Sequence, residues 1–173
     1  ELKKRYPELE IEVIHINTKG DKILDVALSK IGDKGLFTKE LENALLSGEV
    51  DLAVHSLKDL ETNMPAGLQL AVVSDRHEVN DVIIAREKGV TIDSLRENAV
   101  VATGSLRRRS QLLNLRNDIS TVELRGNVPT RIQKYLDSDW DAIILARAGV
   151  ERLGLQDHIS SIIPIDMMLP AVG

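Results

Sequence analysis

Two short runs in this 173-residue chain gather the side chains best able to do chemistry. The first is Ala102-Thr103-Gly104-Ser105-Leu106-Arg107-Arg108-Arg109, where an apolar run ends, small residues turn the chain and a helical pattern begins. The first turn of a helix leaves N–H groups without intrahelical acceptors and carries the positive end of the helix dipole, so anions bind there. Thr103 and Ser105 add hydroxyl donors, and the arginines add planar forks that match carboxylate or phosphate oxygens. Downstream, Arg125-Gly126-Asn127 closes the next apolar run, and Arg131 lies one turn into the helical pattern that follows. From Thr103 to Arg131 six arginines stand against two acids, Asp118 and Glu123, a local balance of +4 in a chain of net charge −5. Successive helical positions cannot all face one pocket, so part of the arginine triplet is expected to face water.

The second run is Val54-His55-Ser56-Leu57-Lys58-Asp59, at the end of another apolar segment. A carboxylate at a strand's carboxyl end can act as a general acid–base or stabilise a developing cation. Polar side chains that merely cap a strand end would look the same. A Ser-His-Asp triad is disfavoured, because neighbouring His55 and Ser56 point to opposite faces of a strand and no G-x-S-x-G elbow occurs.

Composition removes other chemistries. There is no cysteine, hence no disulfide, thiolate zinc site or cysteine nucleophile in this stretch. His15, His55, His77 and His158 are scattered without metal-ligand spacing, so no metal is expected. Neither a P-loop nor a G-x-G-x-x-G after a strand is present. Net acidity and only four aromatics (Tyr6, Phe37, Tyr135, Trp140) argue against nucleic acid as a partner. No apolar run reaches the roughly 20 residues of a membrane span, and the opening Glu-Leu-Lys-Lys-Arg-Tyr lacks the apolar core of a signal peptide.

The elements that must position these groups alternate between strand and helix, which is the α/β pattern. Strands are expected over residues 11–16, 51–55, 68–73, 82–85, 99–102, 121–124 and 142–145, several apolar throughout as if buried on both faces. Helices are expected over 2–6, 38–46, 106–115 and 128–136, with Gly48 as a stop signal and Pro129 near a start. Residues 1–76 hold 8 of the 10 lysines, and residues 77–173 hold 10 of the 12 arginines. That shift, with the polar stretch Ser74-Asp75-Arg76-His77-Glu78, predicts two α/β lobes with a cleft between them. The chain opens without methionine inside a helical pattern and stops at Leu169-Pro170-Ala171-Val172-Gly173, so it is expected to be a piece of a larger protein.

Six stretches together resemble the porphobilinogen deaminase (hydroxymethylbilane synthase) family. They are Thr18-Lys19-Gly20-Asp21-Lys22-Ile23-Leu24, Lys34-Gly35-Leu36-Phe37-Thr38-Lys39-Glu40-Leu41, Asp51-Leu52-Ala53-Val54-His55-Ser56-Leu57-Lys58-Asp59, Gly104-Ser105-Leu106-Arg107-Arg108, Arg125-Gly126-Asn127 and the closing Leu169-Pro170-Ala171-Val172-Gly173. The resemblance implies two lobes like those of periplasmic binding proteins. Residues 1–75 would be domain 1 without its N-terminal strand, residues 80–168 domain 2, and residues 169–173 a return toward domain 1. A third domain, whose cysteine carries a dipyrromethane cofactor, would lie outside the chain. The implied reaction joins four porphobilinogen units into hydroxymethylbilane with loss of ammonia, as in tetrapyrrole and haem biosynthesis, and the piece alone would be inactive.

By the same resemblance Asp59 is the catalytic acid. Ser56, Lys58, Thr103, Ser105, Arg107, Arg108, Arg125, Arg131 and Arg152 would hold the carboxylates of cofactor, porphobilinogen and oligopyrrole intermediates. Lys30, Lys34 and Phe37 would belong to a loop over the cleft, and Arg109 carries no implied role. A cytoplasmic monomer is implied, or a plastid protein in a photosynthetic eukaryote. The chain departs from the family pattern at Asp59-Leu60-Glu61, where a proline is usual. It departs again at Arg76-His77-Glu78-Val79-Asn80-Asp81, which bears on contacts between domains more than on catalysis, and at Arg147. The rival reading is a two-lobed binding module for an anionic small molecule.

Overall fold

The structure, a computed structural model, describes residues 2–22, 35 and 37–172. They fall into two compact units that divide between Gln69 and Leu70. The first unit holds helices α1 (Leu2–Arg5), α2 (Lys19–Lys22) and α3 (Lys39–Ser47), and a 3-10 turn at Leu57–Asp59. Helix α3 lies where its periodicity predicts. It starts after Thr38 and ends at Gly48, whose φ of +76° suits glycine and whose N–H reaches the Ala44 and Leu45 carbonyls.

The strands expected over 11–16, 51–55 and 68–73 do not form. No strand occurs among the described residues of this unit or over residues 70–73, which open the second, and Val13, Val54 and Val72 are 70%, 94% and 81% exposed. A helix satisfies its backbone locally, whereas a strand needs a partner's N–H and C=O groups and a layer over each apolar face. These three segments have the composition of buried strands and neither requirement is met.

The second unit is built on a five-stranded sheet: β1 (Asp81–Ala85), β2 (Val100–Ala102), β3 (Ser120–Val122), β4 (Ala142–Ala146) and β5 (Ser161–Ile162), ordered β3-β2-β4-β1-β5. Strands β3, β2 and β4 run parallel, and β1 pairs antiparallel with both β4 and β5. The sheet is therefore mixed, and the short β5 has no counterpart in the sequence pattern. Alternate side chains fill two cores, as a two-residue period requires. Ile83, Val101 and Ile144 point to one with Leu112 of helix α4 (Leu106–Leu115). Val82, Ile84, Ala102, Ile143 and Leu145 point to the other, with Ile132 and Tyr135 of α5 (Val128–Leu136) and Val150 of α6 (Arg147–Arg152). Helices thus cover both faces, and this is why β1 and β4 are almost wholly apolar.

The chain leaves β2 through α4 to β3 on one side, then returns through α5 to β4 on the other. The carboxyl end of β2 is a topological switch point, the usual seat of a ligand in an open α/β sheet. Thr103 and Gly104 follow it directly.

Candidate functional site

Helix α4 begins where its residue types dictate. Ser105 is the N-cap, in extended backbone, and its Oγ accepts the Arg108 N–H at 3.5 Å. The Ser105 N–H donates to Thr103 Oγ1 at 3.3 Å, and the Thr103 N–H to the Val122 carbonyl. Both hydroxyls accept from backbone and keep an O–H to donate. Gly104 packs so tightly on β3's exit that a Cβ there would lie 2.5 Å from the Leu124 carbonyl oxygen. Helix α5 opens beside it on the same logic. Asn127 Oδ1 accepts the Thr130 N–H at 2.9 Å, and Pro129 occupies the first turn, where a missing N–H costs no bond. Gly126, at φ +116°, makes the turn between β3 and α5. Two helix starts therefore share one end of the parallel strands.

Arginines surround that end. Arg108 and Arg125 are buried, Arg107 and Arg131 are half-buried, and Arg109 is exposed. Burial lowers the Arg131 pKa below the usual arginine range, and the neighbouring positive charges of Arg108 and Arg125 push it the same way, with only Glu123 opposing. Arg131 Nε donates to the Gly126 carbonyl at 2.6 Å, and Lys134 Nζ to the Arg125 carbonyl at 3.2 Å. Like charges crowded out of water favour any anion that enters.

A buried acid lies among them. Asp81, 2% exposed, accepts from Arg107 Nη2 through Oδ2 at 2.6 Å and from Arg108 Nη2 through Oδ1 at 2.8 Å. Arg107 also donates to the Leu169 carbonyl, and Arg108 Nη1 to the Ile144 carbonyl at 3.3 Å. The buried Nε of Arg108 has no acceptor. Because β1 runs antiparallel, its first residue lies beside Ala146, at the carboxyl end of β4. This places Asp81 at the sheet end where Arg107, Arg108 and the two helix starts gather. Sequence reasoning treated the run ending in Asp81 as interdomain and missed it; an acid directly before the apolar Val82-Ile83-Ile84 is the signal it carried.

The other expected residues are dispersed. Arg152 is exposed in the last turn of α6. In the first unit, Ser56, Lys58 and Asp59 are exposed on the 3-10 turn, where the Asp59 N–H donates to the Ser56 carbonyl at 2.9 Å. Phe37 is half-buried and its ring packs over Gly20. Lys30 and Lys34 lie outside the described residues. Among the described residues no group of His, Asp or Glu side chains is arranged to hold a metal, and no helix is long and apolar enough to cross a membrane.

Fold and site define an α/β domain whose helix starts and guanidiniums crowd one sheet end. The family model described as "Porphobilinogen deaminase, dipyromethane cofactor binding domain" matches residues 1–173. The porphobilinogen deaminase of Chloroherpeton thalassium is 53% identical over 173 residues, which are all of this chain and 55% of that protein. That of Geobacter metallireducens is 49% identical over 173 residues, again all of this chain and 54% of that protein. The Desulfitobacterium hafniense enzyme is 52% identical over 172 residues, 99% of this chain and 56% of its own length. The chain belongs to the porphobilinogen deaminase family and corresponds to its dipyrromethane-cofactor-binding domain. It spans about half the length of these curated relatives.

Proposed function

We propose that this chain is the cofactor- and substrate-binding part of a hydroxymethylbilane synthase, a transferase that joins four porphobilinogen units head to tail with loss of ammonia. The observation that carries the reading is 49–53% identity along the entire chain to proteins named porphobilinogen deaminase. Pyrroles of this pathway carry acetate and propionate arms, and the residues of the second unit fit such a polycarboxylate. Arg108, Arg125 and Arg131 repel one another, and Arg108 keeps an N–H without an acceptor. When bound, dipyrromethane supplies the primer on which the chain of pyrroles grows, and we assign its attachment to a cysteine outside this chain.

The division of labour follows from charge. Arg107, Arg108, Arg125, Arg131 and Arg152, with Lys58, Ser56, Thr103 and Ser105, hold carboxylates by charge-assisted hydrogen bonds. Asp59 holds the substrate's ammonium and stabilises the positive charge that develops as ammonia leaves. A pure binder of anions gains nothing from an acid in that place.

The test is Asp59→Ala against Arg131→Ala in the full-length protein. Arg131 acts in ground state and transition state alike, so its loss should weaken cofactor loading and raise KM. Removing a charged hydrogen-bond partner costs about 1.5–3 kcal/mol, or about 10- to 150-fold in an equilibrium. Asp59→Ala should load cofactor normally, as read by intact-protein mass spectrometry, yet lose the single-turnover step. Near-normal turnover of Asp59→Ala would remove this residue from the mechanism and favour a binding module.

A further inference from the structure

We propose that Asp81 is a positioning residue that sets Arg107 and Arg108 as one paired receptor for pyrrole carboxylates. The inference rests on the reading above, since it concerns the ligand of that same site. Asp81 presents one oxygen to each guanidinium, at 2.6 and 2.8 Å, from a carboxylate that is 2% exposed. A guanidinium on a flexible stem loses rotamer freedom when it binds, and one already held by a fork does not pay that cost again. The remaining contacts complete the frame. Arg107 is held on its other side by the Leu169 carbonyl, which also accepts from Gln111 Nε2 at 3.1 Å, and Arg108 is held by Ile144. Each guanidinium is thus fixed by backbone on one side and by Asp81 on the other.

Electrostatics alone makes the opposite prediction, and this gives the proposal its test. An acid beside two guanidiniums weakens their pull on an incoming anion. If charge were all that mattered, Asp81→Asn, which raises the local charge by one, would tighten binding. If Asp81 positions the pair, the same change loosens it. An amide offers one acceptor oxygen and one donor group, so it can serve one arginine and must present N–H to the other.

The experiment uses the full-length enzyme carrying Asp81→Asn, Asp81→Glu, or Asp81→Asn with Arg107→Gln. Three quantities are read: dipyrromethane occupancy by intact mass, the split between KM for porphobilinogen and kcat, and folding by circular dichroism. Asp81→Asn is expected to lower occupancy and raise KM about ten-fold or more, with kcat per loaded molecule changed far less. Asp81→Glu keeps the charge but moves it by one methylene, and is expected to raise KM by a smaller factor. In the Arg107→Gln background the effect of Asp81→Asn should shrink, because one of its two clients is gone.

Full occupancy with an unchanged or lowered KM in folded Asp81→Asn would overturn the proposal, and so would a loss confined to kcat. If Asp81→Asn is recovered unfolded, Asp81→Glu decides, and wild-type occupancy and KM there would overturn it. Wild-type protein that makes no hydroxymethylbilane from porphobilinogen would instead sink the functional reading itself.

Discussion

Gly104→Ala tests whether the turn between β2 and α4 has the tightness on which the site depends. The added Cβ would lie 2.5 Å from the Leu124 carbonyl oxygen, 3.2 Å from Glu123 Oε1 and 3.5 Å from the Leu124 carbonyl carbon. Close C···O contacts settle at about 3.3–3.6 Å, so the turn and β3's exit must part by roughly 0.8 Å or more. Glu123 can swing away, but the Leu124 carbonyl is backbone and cannot. Leu124 is itself a core residue, 1% exposed, packed under α5. Overpacking of this kind costs about 1–3 kcal/mol. Alanine returns about 0.4–1 kcal/mol by restricting the unfolded chain. The net loss is centred on about 1.3 kcal/mol, which at roughly 4 °C per kcal/mol for a unit of this size lowers the midpoint by about 5 °C. Trp140 is the sole tryptophan of these 173 residues and packs on the second unit's core, so in this chain its fluorescence reports that unit's melting. An unchanged midpoint would show that the close approach to Leu124 does not constrain the turn.

Two further outcomes follow from buried and paired groups. The Tyr135 hydroxyl is buried without a hydrogen-bond partner, while its ring sits in the core with Arg86 5.3 Å from its centroid; burial raises its pKa, with Arg86 opposing and Asp141 assisting. Tyr135→Phe removes only the unsatisfied oxygen and should leave stability equal or higher by about 1 kcal/mol in urea unfolding, whereas a loss above about 1 kcal/mol would reveal a partner for that hydroxyl. Hydrogen bonds from Arg116, at 2.7 and 2.8 Å, hold the Asp118 carboxyl below the usual carboxylate range against the opposing effect of burial. A carboxyl lowered on folding contributes stability that is present above its unfolded value, about pH 4, and is lost as pH falls through the folded value. The gap in urea midpoint between wild type and Asp118→Asn should therefore be open at pH 7 and close below about pH 4, and a gap of constant width would refute the pairing.

Local structure was legible because its causes are local. Ser105 and Asn127 cap their helices with hydroxyl and amide groups three residues from the N–H they satisfy, and Gly48 supplies the left-handed residue that ends α3. Those interactions lie within a few residues of sequence, so residue type alone located α3, α4 and α5. The excess of arginine after Gly104 likewise marked the sheet end where the guanidiniums crowd. Which arginine faces what was not legible. Arg108 and Arg109 are adjacent and chemically identical, yet one is buried on Asp81 and the other lies in water. That choice belongs to the sheet: only the antiparallel course of β1 carries Asp81 to the carboxyl end of β4, 27 residues before Arg108. The apolar segments at 11–16, 51–55 and 68–73 mark the same limit from the other side. Their side chains are those of buried strands, but a strand is a relation between segments, and its hydrogen bonds require a partner that composition cannot supply.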